Sequence, residues 1–77
     1  MTPDSEFGTI KIHLQELITQ KGVSKNKLSH RAELSWFQLE RYCRNEITRL
    51  DIHVLAKICT VMDCTIEELL EYIPPNA

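Results

Sequence analysis

Gly22-Val23-Ser24-Lys25-Asn26-Lys27-Leu28-Ser29-His30-Arg31-Ala32-Glu33-Leu34-Ser35-Trp36-Phe37-Gln38-Leu39 contains the end of one helix, all of a second and the start of a third. Gly22 is a helix-stopping glycine, with Lys21 just before it on the negative end of the helix dipole. Ser24 can cap a short helix from Lys25 to about Arg31, with Leu28 and Ala32 on its inner side. Only Glu33 and Leu34 precede the next cap. Ser35 and Gln38 have capping-box spacing, and Leu34 and Leu39 stand where a hydrophobic staple requires them. Two separate devices therefore predict a helix from Trp36 to about Arg44 and set the angle at which the chain enters it. Asn45 tolerates the left-handed conformation and predicts where that helix stops.

Helical spacing continues on both sides of this stretch. Ile10, Leu14, Leu17 and Ile18 share one face of a first helix. Residues 45–50 read as a loop. Asp51 caps a fourth helix with Ile52, Leu55, Ile58, Cys59 and Met62 on one stripe. A second capping box, Thr65-x-x-Glu68, opens a fifth helix with Ile66, Leu69, Leu70 and Ile73 apolar, and Pro74-Pro75 forbids its continuation. No strand-like alternation of useful length is visible, so the expected fold is all-α, a compact five-helix domain over residues 9–77. Residues 1–8 lack any period, and Ser5-Glu6-Phe7 is what a restriction-site junction often encodes. They are read as a cloning leader, with a disordered arm as the alternative.

Composition narrows the function. A chain of 77 residues forms one domain, and at this size only about 60% of the unfolded surface is buried. No apolar run is long enough to span a membrane. Cys43, Cys59 and Cys64 are odd in number and lack framework spacing, which suits a reducing cytoplasm. His53, Cys59 and Cys64 match no common zinc spacing, and no Gly-rich phosphate loop or nucleophile elbow occurs. The expectation is a protein without enzymatic activity, cofactor, metal or evident small-molecule ligand. The net charge of −2 is unevenly distributed: residues 21–49 carry +4 and residues 50–77 carry −4. A basic middle attracts a polyanion whatever the total charge.

A short helix, a very short turn and a well-capped second helix form a pair that can dock on duplex DNA. A helix about 10–12 Å across fits a major groove about 12 Å wide. Through this segment and Leu55-Ala56-Lys57-Ile58-Cys59-Thr60-Val61-Met62-Asp63-Cys64-Thr65-Ile66-Glu67-Glu68-Leu69-Leu70, the chain resembles the Cro/CI-type (Xre-like) helix-turn-helix family, the phage-repressor class. The resemblance runs from Ile10 to Ile73. It implies a five-helix domain with the helix-turn-helix in helices 2 and 3, acting on double-stranded DNA as a two-fold homodimer. A monomer or weak homodimer is expected in solution, pairing on DNA through the fourth and fifth helices or the loop between them. The family commonly has Gly where this chain has Glu33, so the resemblance implies a positive φ there. It favours Ala at the position of Ser29, a nearly equal size.

On the third helix Leu39, Tyr42 and Cys43 share the inward face, while Phe37, Arg41 and Arg44 point the other way. Arg41 is the candidate reader of guanine, and Phe37 can meet a thymine methyl. Gln38 reaches either DNA or only the cap. Trp36 lies on DNA or partly in the core. Ser24, Lys25 and Lys27, at the start of the second helix, are candidate phosphate contacts, as is Arg44. The loop residues Asn45, Thr48 and Arg49 join them, because the family's loop follows the neighbouring backbone. The competing reading is a protein-interaction module of the same fold, favoured by Trp36 and Phe37.

Overall fold

In the computed structural model, which describes residues 6–76, the chain runs β1 (Thr9–Ile12), α1 (Leu14–Lys21), α2 (Lys25–Arg31), α3 (Trp36–Cys43), α4 (Ile52–Met62), α5 (Ile66–Leu69) and β2 (Leu70–Ile73). Five helices are present as expected, but the all-α expectation is corrected. β1 and β2 form a two-stranded antiparallel sheet, with Thr9 opposite Ile73 and Ile12 opposite Leu70. Ile10, placed on the first helix by its spacing from Leu14, lies in β1. α5 is a single turn rather than a helix reaching Ile73, because Leu70 turns to φ −118°, ψ 143° and starts β2. Thr9, Ile10 and Ile12 are β-branched and suited to a pleated strand. Their partners stand at the far end of the chain, so no local pattern announces the pairing.

Of the expected leader, residues 1–5 lie outside the described residues. Gly8 does have a defined fit. A Cβ there would collide with the Ile73 carbonyl and the Tyr72 ring.

The core draws on every element. Leu14, Leu28, Leu39, Ile58, Met62 and Leu69 are fully buried, and Ile12 joins them from β1. Leu34 and Leu39, the proposed staple, are both in this cluster. The helix starts follow the sequence closely. Ser24 accepts a hydrogen bond from the Lys27 amide, Ser35 from Gln38, and Asp51 from His53 and Val54. The Thr65–Glu68 box is complete. That of Ser35 is half made: the serine accepts, while among the described residues Gln38 does not return a bond.

The ends of α1 to α4 share one device. Gly22, Glu33, Asn45 and Asp63 all have positive φ, and each is followed by a residue whose amide bonds back five positions. These are Schellman stops, in which a left-handed residue lets the chain satisfy the last carbonyls. Glu33, at φ 58°, is the stop that joins α2 to α3. There Ser29 adds a side-chain bond, its hydroxyl donating to the Leu34 carbonyl at 2.6 Å. Lys21 serves a different helix from the one expected. Its ammonium donates to the Met62 and Asp63 carbonyls, at 3.0 and 2.9 Å, and so caps α4.

Candidate nucleic-acid interface

The Ser35 cap and the burial of Leu39, Tyr42 and Cys43 set the roll of α3. That roll leaves its other face to solvent. Phe37 is 71% exposed and Trp36 50%. Arg41 is exposed as well, and Gln38 partly so. The stop at Asn45 then returns the chain beside α3. Phe37, Gln38, Arg41, Thr48 and Arg49 consequently line one open concavity of about 440 Å³, floored by buried Tyr42. Asp51 also lines it, with a carboxylate engaged by the amides of His53 and Val54.

Arg41 is held on two sides. Its guanidinium carbon lies 5.6 Å from the centre of the Phe37 ring, within cation–π range. One terminal nitrogen donates to the Glu46 carbonyl at 2.9 Å.

The candidate phosphate contacts do not form one group. Thr48 and Arg49 join the concavity beside α3, whereas Ser24 and Lys27 border a separate hollow of about 320 Å³ with Arg31. Lys25 and Arg44 converge on one carboxylate. Glu40 takes the Lys25 ammonium at 3.0 Å and the Arg44 guanidinium at 3.4 Å. Asn45 points its amide at β1, accepting from the Ile12 N–H at 2.6 Å and donating to the Ile12 carbonyl at 3.1 Å.

Sequence reasoning missed Glu40 as an organiser of this face. Half of its role was readable, since Glu40 and Arg44 have i,i+4 spacing. The bond to Lys25 depends on how α2 meets α3 and has no local signal. Glu46 was also missed, because it acts through its carbonyl. Among the described residues no group of three or more His, Cys, Asp or Glu side chains could hold a metal ion. His53, Cys59 and Cys64 therefore do not assemble into such a group. Nor is any helix among them long and apolar enough to cross a membrane.

No curated protein and no solved structure matches the chain. The family model for the Cro/C1-type HTH DNA-binding domain matches residues 13–75, which takes in α1 through β2 and so the whole concave face. The chain belongs to the Cro/C1-type HTH DNA-binding domain family.

Proposed function

We propose that this domain, residues 9–77, binds specific double-stranded DNA sites as a transcriptional repressor, with α2 and α3 as its helix-turn-helix and α3 in the major groove. The observation that carries this is the convergence of Phe37, Gln38, Arg41, Thr48 and Arg49 on one solvent-open concavity beside the serine-capped helix α3. Arg41 and Phe37 face base edges, with Gln38 and Trp36 at the margins. Lys27, Ser24, Thr48 and Arg49 meet phosphates. Lys25 and Arg44 share Glu40 and together contribute one net positive charge. Asn45 supports the loop from behind. Two copies bind a two-fold site and associate weakly without DNA. Ile52 and Ile66, at the first positions of α4 and α5, are exposed apolar side chains that suit this pairing. The three free cysteines suit a reducing cytoplasm.

A salt titration of binding to a selected duplex tests the proposal. Lys27, Arg49 and the Lys25–Glu40–Arg44 group supply three net charges per copy by this account. Two copies then neutralise about six phosphates, giving a log–log salt slope of roughly −5. A slope near zero removes the DNA reading. It would favour a protein partner docking on Phe37 and Trp36, which are 71% and 50% exposed.

A further inference from the structure

Phe37 and Arg41 stand one turn apart on α3, and their side chains meet. The ring face and the Glu46 carbonyl together hold the guanidinium in place. A guanidinium has five N–H donors. One is engaged by Glu46, so others remain to bond a base. A phenylalanine 71% exposed at the same spot presents apolar surface to whatever approaches. In the major groove the base edges offer polar atoms and one apolar group, the methyl of thymine. Adjacent base pairs are stacked about 3.4 Å apart, so two side-chain ends in mutual contact address neighbouring pairs.

We infer that Phe37 and Arg41 read a two-base-pair step as one unit, Arg41 bonding guanine O6 and N7 while Phe37 covers the 5-methyl group of a thymine on the adjoining pair. The inference rests on the major-groove reading above. It adds a defined chemical preference, for a 5-methylpyrimidine beside guanine, and a coupling between the two contacts. The coupling has a physical cause. When Phe37 settles on a methyl group it also steadies the ring above which the guanidinium lies, 5.6 Å from its centre, and a donor restrained in advance loses less entropy on binding. Cytosine lacks the methyl group and should be a poor substitute, whereas 5-methylcytosine carries it and should restore the contact. The site would thereby respond to cytosine methylation next to guanine.

The test uses the duplex of highest affinity selected from a random pool. Replacing the thymine beside the Arg41-dependent guanine by deoxyuridine removes only the methyl group. In the unaltered protein this should weaken binding about fourfold per half-site, the effect of one buried methyl group. In Phe37→Ala the same base change should have no effect. Phe37 is exposed, so the variant should stay folded, which a thermal melt checks. With a C·G pair at that position, 5-methylcytosine should bind about fourfold more tightly per half-site than cytosine, since the two differ only in the methyl group. The inference is overturned by a neutral deoxyuridine substitution, by a methyl effect that survives in Phe37→Ala, or by a selected site without thymine beside that guanine. Those results leave salt-dependent DNA binding intact, whereas failure of the underlying reading appears as no salt-dependent binding to any duplex.

Discussion

Glu33, at φ 58°, stops α2 in a conformation that suits glycine. Asn45 and Asp63 sit in the same region, but residues of their type visit it at lower cost. Glu33 has an ion pair with Lys57 at 3.3 Å, both ends of it well exposed, and such pairs contribute little. Glu33→Gly should therefore stabilise the fold by up to about 1 kcal/mol, seen as a higher urea midpoint. A lower midpoint would mean that the Lys57 contact outweighs the backbone strain. The positive φ was legible only through the family resemblance, since a glutamate by itself gives no such signal. Cys64 shows a second residue-scale effect. Burial, followed by the neighbouring Cys59, pushes its thiol up from 9.0 to about 11. A raised folded-state pKa favours the neutral thiol. That stabilisation is complete below 9.0 and disappears as pH rises through about 11. Urea titrations across this window should show a loss of stability that is smaller in Cys64→Ser, which has no thiol to ionise.

At the scale of elements, the presence of five helices was legible because capping and spacing are local, although α1 and α5 are shorter than their apolar spacing suggested. Ser24, Ser35, Asp51 and Thr65 each cap where the sequence placed a cap. The strands were not legible. Four residues are too few to show a period, and β1 has its partner at the far end of the chain, beyond five helices. Ile10 and Ile73 fit helical stripes equally well, and long-range pairing decided against the helix. Gly8 is the sensitive point of this sheet, since its α-carbon passes close to Ile73 and Tyr72. Gly8→Ala should lower stability by about 1–3 kcal/mol, the usual effect of forcing extra volume into a filled space. An unchanged thermal midpoint would show that the segment before β1 swings away freely.

For the whole molecule, the charge gradient along the chain gathers cations in residues 21–49 but does not tell which of them are paired. The residue types of the concavity were readable because α3 has a clear inward stripe. Which cations stay available was not, because Glu40 gathers Lys25 and Arg44 from two helices. Glu40→Gln would release that pair. Its expected signature is tighter binding at low salt and a slope steeper by about one unit per copy. An unaltered slope would exclude Lys25 and Arg44 from the DNA contact. Asn45 has a wider consequence. Among the described residues β1 has β2 on one side only, and an unpaired strand margin is a template on which another chain can add. The Asn45 amide fills that place at Ile12, offering one acceptor and one donor as a neighbouring strand would. The residue that stops α3 thus also occupies the strand margin at Ile12 that another chain would need. In Asn45→Ala the first failure should be light scattering that grows with concentration, appearing under conditions where the helices are still intact by circular dichroism. A variant that remained clear and monomeric at high concentration would show that the sheet needs no such guard.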